Sequence, residues 1–318
     1  MYPRKISTQA EMLANRLAKR QKHLKKWARR TGTDAYRLYD RDIPEIPLCI
    51  DLYASLASLS LYEGPYEKDE AEEALWLEAM CEAAAQALGI EREAICTRRR
   101  KRQRGTAQYE RVSRRAREVI VREGGLRFRV NLSDYLDSGL FPDRRRLRAR
   151  IREEAADKKV LNLFCYTGSF SVYAASGGAA SVDSVDLSSP YLEWARANFT
   201  LNALKPGNLV RADALLFMKD AKRARKTWDI IILDPPAFSN SKRMRGTIDL
   251  RRDHGELIKS CLSLLSPGGI LYFSANTKGF KLNVQVPGTV IEDITEKMRD
   301  EDFRGKRLPA CFKFSQSP

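Results

Sequence analysis

The chain has 318 residues, 43% of them hydrophobic, with 57 Lys and Arg against 41 Asp and Glu and a formal net charge of +16. That is enough apolar material for one large or two ordinary domains, and a positive surplus of this size attracts phosphate backbones through counterion release. Six scattered cysteines with no CxxC pair, two histidines, no membrane-spanning apolar run and no apolar N-terminal leader argue against a zinc site, a disulfide framework or secretion; no metal, no membrane partner and a cytoplasmic setting are expected.

Residues 11–30 are predicted to form a basic helix. Leu13, Leu17, Leu24 and Ala28 fall on one face, and Gly32 is a stop signal. Residues 35–39, 48–53 and 58–62 alternate like strands, and 69–88 is an amphipathic helix ended by Gly89. A strand-like run from Ile95 leads into the arginine run 98–104. Two alternating runs about Gly124-Gly125 predict a β-hairpin, and 144–152 a basic helix. From Val160 the rhythm changes: apolar strand-like runs at 160–164, 181–186, 209–212, 228–233 and 269–274 are separated by helical stretches. This predicts an α/β fold in two parts. Residues 1–140 read as a basic α+β domain that positions RNA, and 141–318 as a doubly wound parallel sheet with its site at the carboxyl ends of the strands.

The turn after the first strand of that sheet, Phe164-Cys-Tyr-Thr-Gly168, has one glycine where a dinucleotide fold would need GxGxxG. S-adenosylmethionine has no phosphate, so a single-glycine turn suits it better, with Gly168 expected to let the ligand approach closely. Asp186, about twenty residues on, is placed to accept the ribose hydroxyls, with Asp183 as its competitor. Asp213, after the third strand, is placed to accept from the adenine amino group. The fourth strand ends Asp234-Pro-Pro-Ala-Phe238, a stiffened turn followed by an aromatic suited to stacking on a base.

Asn162-Leu-Phe-Cys-Tyr-Thr-Gly168, Ser184-Val-Asp-Leu-Ser188, Tyr191-Leu-Glu-Trp-Ala195 and Asp234-Pro-Pro-Ala-Phe-Ser-Asn-Ser-Lys-Arg-Met244 resemble the ribosomal RNA large-subunit methyltransferase K/L family, and specifically its K half. The likeness reaches from Asn15-Arg-Leu17 to Phe273-Ser-Ala-Asn276 and so covers nearly the whole chain. It departs at Phe141-Pro-Asp143, where leucine is usual in place of proline, and at Leu308-Pro309. The resemblance implies a class I, Rossmann-like methyltransferase that modifies guanine N7 in 23S ribosomal RNA or a large-subunit precursor, using S-adenosyl-L-methionine. The cofactor set is expected to be Phe141, Asn162, Phe164, Tyr166, Thr167, Gly168, Asp186, Leu187, Ser188, Asp213, Ala214 and Asp234. Asp234, Pro235, Pro236, Phe238 and Asn276 are expected to handle the base. Arg98, Arg99, Arg100, Lys101, Arg102, Arg104, Lys242 and Arg243 are expected on the RNA.

Guanine N7 has a free lone pair and needs no general base. Cytosine C5 needs a cysteine adduct, and no cysteine follows the two prolines or lies in Ser274-Ala-Asn276. Asp234 and Phe238 would stabilise the cation that N7 alkylation creates, while His254 reads as structural. Two readings compete: a cytosine-C5 methyltransferase of related architecture, and a catalytically silent RNA-binding assembly factor.

Overall fold

A computed structural model describes residues 2–62, 69–100, 117–133, 137–239 and 247–316, the side chain of residue 100 excepted. Helix α1 (Arg4–Thr31) starts about two turns earlier than the periodicity implies, directly after Pro3, and ends on left-handed Gly32. Strands β1 (Ala35–Asp40), β2 (Leu48–Tyr53) and β3 (Leu56–Tyr62) follow, then helix α2 (Glu70–Leu88) and strand β4 (Ile95–Arg100), giving a sheet of order β1-β2-β3-β4. The alternation in these strands sorts their side chains. Tyr39, Ile50 and Leu59 lie in register on the face packed by Leu13, Leu17 and Leu24 of α1 and Met80 of α2. Arg37, Asp51 and Ser58 pair across the strands on the other face, which α1 and α2 leave uncovered.

The hairpin β5 (Glu118–Glu123) and β6 (Leu126–Asn131) turns on Gly124 and Gly125, both at positive φ. Its Val121, Phe128 and Val130 form one core with Tyr53 of the first sheet and with Tyr173 and Phe199, which lie on helices flanking the second. Helix α3 (Arg145–Glu154) then leads into β7 (Lys159–Leu163), α4 (Ser169–Ser176), β8 (Ser181–Asp186), α5 (Ser189–Leu201), β9 (Asn208–Arg211), α6 (Ala214–Arg223) and β10 (Trp228–Leu233). A short bridge, β11 (Phe238–Ser239) with β12 (Ile248–Asp249), precedes α7 (Leu250–Leu262), β13 (Leu265–Ala275), β14 (Thr289–Asp293) and β15 (Ala310–Gln316).

The large sheet runs β14-β15-β13-β10-β7-β8-β9, parallel from β13 to β9, with β15 and β14 added antiparallel. Both faces are covered at its centre, where residues 230–233 of β10 and 270–273 of β13 form continuous apolar runs. Leu161, Ile231 and Leu271 pack on the face of α6 and α7, while Val160, Ile230, Ile232 and Tyr272 pack on the face of α3 and α4. The antiparallel pair β14–β15 was not anticipated.

The arginine-rich helix is the main departure from the charge reading. Arg148 is 1% exposed and forks onto Glu123 at 2.7 and 2.9 Å. Arg145 joins Asp302 at 3.0 Å and Asp300 at 3.1 Å and donates to the Ala35 carbonyl. These charges lie inside, holding α3, the hairpin, β1 and the C-terminal segment to one another, because each guanidinium meets a carboxylate from a distant part of the chain. Pro142 opens the short 3-10 turn before α3, a position where the missing N–H costs nothing.

Candidate active site at the carboxyl ends of the parallel strands

The turn between β7 and α4 has Phe164, Tyr166 and Gly168 all at positive φ (55°, 52° and 71°). Two side-chain-bearing residues in the left-handed region store strain that the surrounding structure must hold. Part of that hold is Asp186, at the end of β8. Its two carboxylate oxygens accept from the Tyr166 and Ser188 amides, each at 2.9 Å. Burial pushes its carboxyl up from 3.8 to about 6, although those amide hydrogen bonds pull the other way. Asp183, the competitor, faces away and accepts from Asn208 and Trp228. Asp213 caps α6 through one oxygen, Oδ1, which accepts from the Leu215 and Leu216 amides.

Asp234, at the end of β10, is not the free carboxylate the motif suggested. Arg144, 7% exposed, forks onto it at 2.8 and 3.0 Å, and the Ser274 hydroxyl donates to it at 2.5 Å. The neighbouring carboxylates raise the already high pKa of Arg144 further, despite its burial. Asp234 thus fixes the Pro235-Pro236 turn to α3 and β13.

These strand ends border a cavity of about 610 Å³, within the range of small-molecule sites. Phe141, Phe164, Tyr166, Asp186, Leu187, Asp213 and Ala214 line it, together with Asp234, Pro235, Pro236 and Asn276. Tyr166 packs edge-on against Tyr191 at 4.6 Å and lies 5.5 Å from Phe141. The Tyr166 hydroxyl and the Asp143 Oδ1 atom are buried without a hydrogen-bond partner, and both residues line the cavity. Unsatisfied buried polar atoms beside a buried carboxylate and an aromatic wall suit a ligand that carries hydroxyls, an amine and a sulfonium cation. S-adenosylmethionine is such a ligand.

Five expected site residues stand outside the lining. Asn162 is 1% exposed and donates to Ser171 on the helix side of β7. Thr167 is fully buried and donates to the Gly139 carbonyl, and Ser188 caps α5. Gly168 is required by packing and backbone conformation: at φ 71° a Cβ would lie 2.7 Å from the Ala195 Cβ, on α5. Phe238 is 44% exposed and its backbone pairs with Asp249.

Of the residues expected on RNA, Arg98 lines the cavity and donates to the Asn131 and Leu132 carbonyls, and Arg99 is exposed and paired with Glu73 at 2.9 Å. The Arg100 side chain, Lys101, Arg102, Arg104, Lys242 and Arg243 lie outside the described residues. His254 is structural: its Nδ1 faces the Leu250 carbonyl at 2.9 Å, while Nε2 accepts from the Asn283 amide, which fixes the neutral Nδ1–H tautomer. All six cysteines are buried and free. Among the described residues no helix is long and apolar enough to cross a membrane, and no group of acids, His and Cys could hold a metal.

Missed from the sequence were Arg144, Tyr191 and the polar face of β1 to β3, whose Arg37, Ser58, Ser60 and Tyr62 form the far wall of the same cavity. The alternation Ser58-Leu-Ser-Leu-Tyr62 carried that signal.

A family model for S-adenosylmethionine-dependent methyltransferases matches residues 40–295. The chain is 43% identical over 316 residues to ribosomal RNA large subunit methyltransferase K of Neisseria meningitidis, spanning 98% of this chain and 89% of that protein. It is 46% identical over 314 residues to ribosomal RNA large subunit methyltransferase K/L of Pseudomonas putida, of which it spans 43%. Among solved structures, a SAM-dependent methyltransferase from Streptococcus mutans superposes with a TM-score of 0.73 at 24% identity, covering 96% of this chain and 81% of that one. A methyltransferase designated SMU.776, complexed with SAH, matches with the same TM-score, identity and coverage. One from Agrobacterium tumefaciens reaches 0.57 at 20% identity, with 85% and 87% covered. The structural likenesses carry the fold, and the sequence matches carry the family: the chain is an S-adenosylmethionine-dependent methyltransferase of the ribosomal RNA large-subunit K/L family.

Proposed function

We propose that this protein transfers a methyl group to 23S ribosomal RNA, at N7 of a guanine. The relatives named as ribosomal RNA large subunit methyltransferases support the substrate class. One observation carries the choice of atom: among its described lining residues the cavity has no cysteine and no histidine. Burial also holds the Cys165 and Cys261 thiols well above the usual range and pushes Cys311 up to about 12. A thiolate addition to a pyrimidine ring has no nucleophile among these residues. A ring nitrogen with its own lone pair needs none.

S-adenosylmethionine supplies an electrophilic methyl group for in-line displacement. In this reading Asp186 accepts from the ribose hydroxyls, Leu187 and Ala214 flank the adenine, and the second oxygen of Asp213 accepts from its amino group. The Pro235-Pro236 turn, braced by Asp234 and Arg144, sets the distance between base and methyl group, and alignment contributes much of the rate. Asn276 reads the edge of the base. We also propose that residues 1–140 position the RNA and 141–318 carry the chemistry, with Arg99 and the 98–104 run on the backbone. Incubation with tritiated S-adenosylmethionine and 23S ribosomal RNA tests the reading: label in 23S RNA is expected, and its absence would leave a silent binder.

A further inference from the structure

The cavity lining carries charge that the proposed reaction does not use. Arg307, in the segment before β15, and Arg41, just past β1, line the same cavity as the Asp234-Pro-Pro turn. Arg307 is exposed, and among the described residues it has no ion-pair partner. Arg41 is held in place. Its backbone is left-handed at φ 51°, its amide donates to the Leu48 carbonyl, and its guanidinium lies 4.9 Å from the Tyr62 ring centre and 2.8 Å from Asp40. Asp40 also accepts from Arg37, whose main partner is Asp51, and from the Cys49 thiol, so the added cation of Arg307 has no carboxylate of its own among the described residues. Next to Arg307, Lys306 is tied to Asp42 and to the Asp40 carbonyl, which pins the segment carrying Arg307 to the end of β1. Two guanidinium groups therefore border one space, Arg41 paired with Asp40 and Arg307 close enough to Arg41 to feel its charge.

We infer that Arg41 and Arg307 form a phosphate clamp, which takes a backbone phosphate of the RNA beside the nucleotide being methylated. Burial and the like charge of Arg41 both lower the pKa of Arg307, a repulsion that a bound anion would relieve. Arginine presents a planar fork that matches phosphate oxygens two at a time, and phosphate contacts of this kind set register without reading sequence. The Ser58 and Ser60 hydroxyls and the Tyr62 ring border the same space, which would let the first sheet hold the nucleotide next to the clamp. The inference rests on the RNA reading above, but its test does not depend on methyl transfer.

The test measures binding of in vitro transcribed 23S RNA fragments across a salt series for the wild type, Arg307→Gln, Arg41→Gln and the double variant. Among the described residues Arg307 has no ion-pair partner to orphan, so Arg307→Gln should leave folding intact. Its affinity should fall roughly tenfold, with a salt slope shallower by about 0.7 to 0.9. The double variant should lose less than the product of the single losses, since both groups hold one phosphate. S-adenosylmethionine affinity should not change, which separates the clamp from the cofactor end. An RNA with a methylphosphonate beside the target should cost the wild type the same factor and cost Arg307→Gln little. Wild-type affinity and slope in Arg307→Gln would overturn the clamp. Absence of methyl transfer by the wild type would instead overturn the proposed reaction and leave the binding result to judge the clamp.

Discussion

Asp186→Asn tests the cofactor end most sharply, because the wild-type carboxyl should titrate inside the working range. Burial raises it from 3.8 to about 6, a shift of roughly two units, equivalent to about 3 kcal/mol. The sign follows from proton counting: between pH 4 and 6 the folded protein holds a proton that the unfolded chain has released. Without cofactor, the stability contributed by this group is complete below about pH 4, declines as pH rises to about 6, and is lost above it. Cofactor binding should run the other way. The ionised carboxylate accepts both ribose hydroxyls, and at pH 5 only roughly a tenth of the protein carries it. S-adenosylmethionine affinity of the wild type should therefore fall about tenfold from pH 7.5 to pH 5. Asp186→Asn should bind about tenfold more weakly than wild type at pH 7.5, through loss of a charged acceptor, and show no such step. Calorimetric titration at pH 5, 6 and 7.5 measures both. A wild-type affinity that is flat over this range, or an asparagine variant with the same step, would refute the assignment of Asp186 to the ribose.

Three further outcomes are expected. Gly168→Ala places a side chain at φ 71° and 2.7 Å from Ala195, so urea unfolding should show a loss beyond the about 1–2 kcal/mol of the left-handed backbone; adding Ala195→Gly should cost less than it does alone, and simple additivity would dismiss the clash. Glu123→Ala leaves Arg148 buried without its carboxylate and takes one from Arg145, so unfolding should be easier by about 3–5 kcal/mol; a loss under about 1 kcal/mol would mean the network carries little. Asp234→Asn should lower turnover more than S-adenosylmethionine affinity by loosening the Pro235-Pro236 turn, while Cys165→Ser and Cys261→Ser keep substantial activity; a trapped protein–RNA adduct would restore the cytosine-C5 mechanism.

Period and punctuation made most of the architecture legible. Apolar runs that return every 20 to 40 residues, each followed by a helix, can satisfy both faces of a parallel strand only in a doubly wound sheet. The alternating runs around Gly124-Gly125 could only turn as a hairpin, and they do. What escaped depends on partners far away in the chain. Arg145 and Arg148 look like a solvated basic face until Glu123, Asp300 and Asp302 are brought beside them. Asp234 looks catalytic in isolation, and only the fold reveals Arg144 on it. At Gly168 the sequence signals a turn, and only the fold reveals the α5 helix packed against it. Phe238 follows the two prolines in sequence and still points outward, because the β11–β12 bridge turns the chain there. The β14–β15 pair was overlooked although Cys311-Phe-Lys-Phe314 alternates, since the antiparallel edge of a mostly parallel sheet breaks the βα rhythm being followed.

The central claim is a non-covalent methyl transfer to a purine ring nitrogen of large-subunit RNA. Mass spectrometry of nucleosides from 23S ribosomal RNA, after incubation with the protein and S-adenosylmethionine, reads the product directly. The account predicts 7-methylguanosine; 5-methylcytidine, N2-methylguanosine, or no methylated nucleoside above the untreated RNA would contradict it.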